Sequence, residues 1–120
     1  MVLTISVLYV NDESTLLEIG KGYLEQTPEF AVTTAPSASV ALDRLKSDGI
    51  QAIVSGYPMP GMDGIEFLKQ VRATDKHIPV IMFTGTCREE IAIEAFENGA
   101  DFYLQNGGEP GTNGAILRET

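Results

Sequence analysis

The polar residues of this chain that could do chemistry sit where apolar runs end. Asn11-Asp12-Glu13 follows the run Thr4–Val10, Gly56 follows Ile50–Ser55, Thr84 closes Pro79–Thr84, and Asn106 comes just after Asp101–Leu104. A carboxylate such as Asp12, with Glu13 beside it, can hold a hard cation through its oxygens, or it can accept hydrogen bonds from the first turn of a helix. Capping is the simpler of these two readings. Ser55 and Tyr57 flank Gly56 with hydroxyls, but neighbouring strand residues point to opposite faces, so neither makes a convincing nucleophile. His77 lies in the polar turn Thr74–Ile78 and reads as an exposed loop residue. Cys87 opens a helix, where a thiol pKa can fall, yet Glu89 and Glu90 beside it work in the opposite direction. Glu90, Glu94 and Glu97 recur at helical spacing and read first as a solvated face.

The elements that position these residues alternate strand and helix. Thr4–Val10 is apolar almost throughout, as a strand buried on both faces should be. Leu16, Ile19, Gly20, Tyr23 and Leu24 then recur at helical spacing until Pro28. Phe30–Thr34 reads as a second strand. A helix with the stripe Ala38, Ala41, Leu42 and Leu45 follows, capped by Ser37 and ended near Gly49. Ile50–Ser55 is a third strand, and the Pro- and Gly-rich loop Gly56–Met62 leads to Asp63, which has the capping-box partner Glu66 three residues on. That helix turns Ile65, Leu68 and Val71 inward. Pro79–Thr84, helix Arg88–Asn98 and Asp101–Leu104 complete five strands and four helices. This pattern predicts an α/β fold, a parallel sheet with helices on both faces, whose site lies at the carboxyl ends of the strands.

Composition narrows the function. The chain has 120 residues, the size of one domain. Seventeen Asp and Glu against eight Lys and Arg give a net charge of −9, which disfavours nucleic acid and anionic membrane surfaces as partners. No apolar run reaches the length of a membrane span, no basic leader precedes the first strand, and a single cysteine allows no intrachain disulfide; the expected location is cytoplasmic.

Tyr9-Val-Asn-Asp-Glu13 and Tyr57-Pro-Met-Pro-Gly-Met-Asp-Gly64, followed by Phe83-Thr-Gly85 and Gly99-Ala-Asp-Phe-Tyr103, resemble the receiver (response regulator) domains of two-component phosphorelays, the CheY-like family. The resemblance covers about residues 3 to 108. It implies a flavodoxin-like, doubly wound five-stranded sheet of order 2-1-3-4-5. It also implies a role in which a histidine kinase passes a phosphoryl group to an aspartate at the end of the third strand. That transfer needs a carboxylate nucleophile, Mg²⁺ held by an acidic pair, and a hydroxyl and a lysine to meet the phosphoryl oxygens. Thr84 matches the hydroxyl, and Thr84 with Tyr103 matches the family's switch pair.

Three positions depart from the pattern. The first acid of the pair is Asn11, the phosphoacceptor position is Gly56, and the lysine position is Asn106. Acyl-phosphate chemistry at a glycine is impossible. The losses are mutually consistent, because an unpartnered lysine in such a pocket would be costly and Asn106 removes it. The remnant Asn11, Asp12 and Glu13 offers Mg²⁺ a weak seat at Asp12 at best, and no cofactor is expected. The expected function is therefore non-enzymatic: a pseudo-receiver, independent of phosphorylation, that works by protein–protein contact. The alternative is an active receiver using an unconventional acceptor such as Asp12. Partners implied by the resemblance are a histidine kinase or another signalling domain, docking along the fourth helix and fifth strand. The receiver-like region is expected to span residues 1–106. The glycine-rich tail 107–120 leaves room only for a helical turn over Ala115–Glu119 in place of a full fifth helix. A missing fifth helix would expose apolar surface beside the fifth strand, for which a second copy of the chain (a homodimer) or a neighbouring domain is a candidate cover.

Overall fold

The computed structural model describes residues 4–46, 49–85, 88–105 and 115–117. Their elements are β1 (Ile5–Val10), α1 (Ser14–Leu24), β2 (Phe30–Ala35), α2 (Ala38–Leu45), β3 (Ala52–Ser55), α3 (Gly64–Thr74), β4 (Val80–Thr84), α4 (Glu89–Glu97), β5 (Phe102–Gln105) and β6 (Ala115–Leu117). The sheet runs β2-β1-β3-β4-β5-β6, parallel through its first five strands. The order 2-1-3-4-5 that the resemblance implies and the four helices that the pattern predicts are thus both found, with β6 added at the edge. No helix among the described residues is long and apolar enough to cross a membrane.

Local sequence explains where the helices begin. Ser37 Oγ accepts the amide of Val40 at 3.2 Å at the start of α2. Asp63 and Glu66 form the expected capping box on α3, with Glu66 N–H donating to Asp63 Oδ1 at 2.9 Å and Asp63 N–H to Glu66 Oε1 at 3.3 Å. Caps of this kind contribute about 1 kcal/mol each.

The tail corrects one expectation. Where a helical turn was expected over residues 115–119, Ala115–Leu117 instead pairs antiparallel with β5, Tyr103 opposite Ile116. A lone helical turn is unstable in water, whereas the open edge of β5 offers a ready row of backbone partners.

The two faces of the sheet are covered unequally. On one face α2, α3 and α4 close the main core over Leu8, Val10, Ile53, Val80, Met82 and Tyr103. On the other, α1 alone packs on Val7, Tyr9 and Val32 through Leu17 and Leu24. Contact there is intimate at one point. The Tyr9 ring fills the space a side chain at Gly20 would need, and a Cβ on Gly20 would collide with Tyr9 Cε2. Burial raises the Tyr9 phenol pKa. Gly22, two residues on, faces open space. Gly20→Ala is therefore expected to destabilise the fold by about 1–3 kcal/mol through overpacking, despite alanine's better helix propensity. Gly22→Ala should stabilise it by roughly 0.5–1 kcal/mol. Urea unfolding of the two variants would show midpoints moving in opposite directions.

At the amino-terminal end of β4 and β5 a second contact joins elements far apart in sequence. The Arg72 guanidinium, near the end of α3, donates to Gly99 O from Nε at 3.1 Å and from Nη2 at 2.7 Å, and to Ile78 O from Nη1 at 2.7 Å. Nη2 also reaches Asp101 Oδ2 at 3.3 Å, and the same oxygen accepts the Val80 amide at 2.9 Å. The Arg72 side chain is 14% exposed, so these carbonyls have little water to replace it. Arg72→Ala should lower stability by about 2–4 kcal/mol, and Arg72→Lys should recover little, because a single ammonium cannot span the fork. Thermal and urea denaturation of both variants checks this.

Candidate functional site

The strand register brings the predicted site residues to one end of the sheet. β1 pairs with β3 so that Val10 lies opposite Ser55, which sets Asn11 and Gly56 side by side one step beyond the last paired residues. Backbone bonds hold both: Asn11 N–H donates to Ala35 O at 3.1 Å, and Gly56 N–H to Val10 O at 2.9 Å. On the next strand Thr84, the last residue of β4, is buried. Tyr103 in β5 pairs in register with Met82 and is fully buried, its ring part of the main core. Asn106 and Cys87 lie outside the described residues.

Asn11 has a role that the sequence reading missed. Its Oδ1 accepts the Glu13 amide at 2.9 Å, bracing the turn from β1 into α1. An asparagine whose side chain holds the amide two residues on is a local signal that could have been read from the sequence. The expectation that Asp12 caps α1 is corrected: Glu13 occupies the N-cap, and it makes no side-chain cap bond. The reason is geometric: the helix begins at Ser14 with the extended Glu13 before it, so Asp12 lies one residue too early to cap it, and Asp12 and Glu13 are both left exposed.

The loop after β3 is built on two glycines of different kinds. Gly64 N–H donates to Tyr57 O at 2.8 Å, and a Cβ on Gly64 would strike the Gly56 carbonyl oxygen, with Met82 Cε 2.7 Å away. No side chain fits there. Gly56 is the opposite case. Its φ is not in the left-handed region, and a Cβ would meet only Asn11 Nδ2 at 3.2 Å, with Asn11 Cγ and Val10 O at 3.7 Å. The backbone at position 56 therefore does not require glycine. Ser55 is buried and its Oγ donates to Gly56 O at 2.9 Å, while Tyr57 packs against the main core. Both hydroxyl-bearing neighbours of Gly56 are thus structural.

The donor set does not suit Mg²⁺. Among the described residues the acids that follow β1 are Asp12 and Glu13, the Asn11 oxygen is engaged by the Glu13 amide, and Gly56 contributes nothing but backbone. Mg²⁺ dehydrates reluctantly, demands near-octahedral oxygens and is usually held by one or two carboxylates together with phosphate oxygens and waters. Among the described residues no three His, Cys, Asp or Glu side chains converge as metal ligands.

Elsewhere, His77 is an exposed loop residue, as the sequence suggests; its amide and that of Ile78 donate to Asp75 Oδ1 at 2.8 and 3.0 Å. Those two bonds lower the Asp75 pKa. On α4, Glu90, Glu94 and Glu97 are exposed, with Ile93 between them half exposed. Arg88 pairs with Glu90 at 3.0 Å; a hydrogen bond from the Glu90 backbone amide and then this pairing lower the Glu90 pKa.

Three comparisons with known proteins bear on this geometry. The family model described as the response regulator receiver domain matches residues 7–110. Chemotaxis protein CheY-3 of Vibrio cholerae is 36% identical over 100 residues, covering 82% of this chain and 77% of its own length. Transcriptional regulatory protein FixJ of Bradyrhizobium diazoefficiens is 33% identical over 98 residues, and the match spans 82% of this chain but 48% of that protein. Among solved structures, chemotaxis protein CheY4 of Vibrio cholerae superposes with a TM-score of 0.81 at 30% identity, covering 91% of this chain and 92% of its own.

The two glycines give the site a direct test. Gly56→Ala should leave stability within about 0.5 kcal/mol of the parent, the small shift of the Asn11 amide being offset by a less flexible unfolded chain. Gly64→Ala should cost about 2–3 kcal/mol, because backbone rather than a side-chain end blocks the added methyl. Equilibrium urea titrations of the two variants measure the contrast.

Proposed function

The chain belongs to the response regulator receiver family, and we propose that within it this chain is a pseudo-receiver: a signalling domain that does not carry phosphoryl chemistry and acts by contact with other proteins. The observation that carries this reading is Gly56. It stands at the end of β3 in a backbone conformation open to any residue, yet it supplies no carboxylate to attack phosphorus. The donor set around it, one exposed aspartate and a committed asparagine, supports the same reading, because charge stabilisation is most of what phosphoryl transfer asks of a protein. On this reading the domain is not an enzyme and needs no cofactor.

Thr84 and Tyr103 keep the family's hydroxyl and aromatic ring, and in this proposal they serve packing and hydrogen bonding at the ends of β4 and within the core. The surface we propose for a histidine kinase or another signalling domain is α4 with the adjoining β5, where exposed Ile93 is bordered by Glu90, Glu94 and Glu97. An apolar residue within a charged rim suits a modest, reversible interface. The names of the relatives, chemotaxis protein and transcriptional regulatory protein, support a place in two-component signalling without choosing an output.

Intact-mass spectrometry after incubation with acetyl phosphate and Mg²⁺ tests the proposal. The parent chain should show no phosphoryl adduct, and the triple variant Asn11→Asp, Gly56→Asp, Asn106→Lys should acquire one. A stoichiometric, hydroxylamine-labile adduct on the parent would overturn the reading and point to Asp12 as an unconventional acceptor.

A further inference from the structure

β2 is the outermost strand on its side of the sheet, with β1 as its one neighbour among the described residues. An outer strand presents a row of backbone amides and carbonyls on which an extended segment can add. The sequence makes this edge a hazardous one. Phe30-Ala-Val-Thr-Thr-Ala35 carries no charge and no proline, and Phe30, Val32, Thr33 and Thr34 all favour extended backbone.

The register fixes which groups face outward. Ile5 N–H donates to Glu29 O at 2.7 Å and Asn11 N–H to Ala35 O at 3.1 Å, so residues 29, 31, 33 and 35 turn their backbone groups toward β1. By alternation Phe30, Val32 and Thr34 turn theirs away from the sheet. The chain supplies its own acceptors to the first two of these amides. Phe30 N–H donates to Thr27 O at 3.0 Å, in the turn that enters β2. Val32 N–H, in the middle of the edge, donates to Glu25 Oε2 at 3.0 Å. Glu25 lies just past the end of α1, and its own amide is anchored on Lys21 O at 2.9 Å. An exposed glutamate with water available on every side is thus turned back onto the strand.

An added strand would have to bring a carbonyl oxygen to the Val32 amide. There it meets a carboxylate that already holds the hydrogen, and the two oxygens repel. We propose that Glu25 is a latch on the β2 edge: by holding the outward Val32 amide, it keeps an extended polypeptide from adding to the sheet as a further strand. The inference does not depend on the loss of phosphoryl chemistry, since neither Glu25 nor Val32 belongs to the site at the strand ends.

Amide hydrogen exchange, followed by NMR on the full chain, reads the latch directly. Thr33, whose amide faces β1, serves as the internal reference. Glu25→Ala should raise the ratio of the Val32 to the Thr33 exchange rate about tenfold, the loss expected for a hydrogen bond to a charged group. Glu25→Gln keeps an acceptor oxygen without the charge and should restore part of the protection. An unchanged ratio in Glu25→Ala would overturn the proposal, because a purely global loss of stability moves both amides together.

Fibril growth reads the consequence. Arg72→Ala is the control, since it weakens the fold through contacts at the entries to β4 and β5 and leaves β2 latched. At temperatures chosen to give equal unfolded fractions, Glu25→Ala should develop thioflavin T fluorescence sooner than Arg72→Ala, and Glu25→Gln should fall between Glu25→Ala and the parent. Equal lag times for Glu25→Ala and Arg72→Ala would assign growth to unfolding alone and refute the latch.

Discussion

The handedness of the β–α–β crossover governs this molecule. Because each connection between parallel strands turns the same way, the direction in which the strand order grows decides which face receives each helix. The step from β1 outward to β2 puts α1 on one face, and every later step, running the other way through β3, β4 and β5, puts its helix on the other. The reversal between β1 and β3 opens the crevice at the strand ends where Asn11 and Gly56 meet. The same reversal leaves one face with three helices and the other with one. The polar site and the thinly covered face are thus two results of a single topological constraint.

Much of this was legible in the sequence because it is local. Continuous apolar runs identified most of the strands, Ser37 and the Asp63–Glu66 pair identified two helix starts, and the carboxyl ends of the strands placed the crevice. What escaped depended on residues brought together from a distance. Nothing near Arg72 announces that its guanidinium will reach Gly99, and nothing near Gly20 announces the ring of Tyr9. β6 escaped for a related reason: three residues in a glycine-rich tail have no helical or strand character strong enough to decide the matter, and pairing with β5 decides it. Asp12 shows how a shift of one residue escapes such a reading: the helix begins at Ser14 with Glu13 at its N-cap, which leaves Asp12 too early to cap it.

The glycines divide along a line that composition alone hides. Gly20 and Gly64 are places where backbone or an aromatic ring occupies the volume of a side chain, so the fold itself demands them. Gly56 is under no such demand. Its lack of a carboxylate is therefore a property of the site's chemistry and not a concession to packing. This distinction is the physical ground for reading the crevice as retained architecture without retained reactivity.

The Arg72 fork lies at the end of the sheet opposite the crevice, where it ties the end of α3 to the turns that enter β4 and β5. The fork and the crevice thus stand about one strand length apart, at opposite ends of β4. Residues at the strand ends can consequently be exchanged without loosening the fork. Such a division makes the scaffold evolvable: a lineage can silence, alter or rebuild the chemistry at one pole while the other keeps the chain folded.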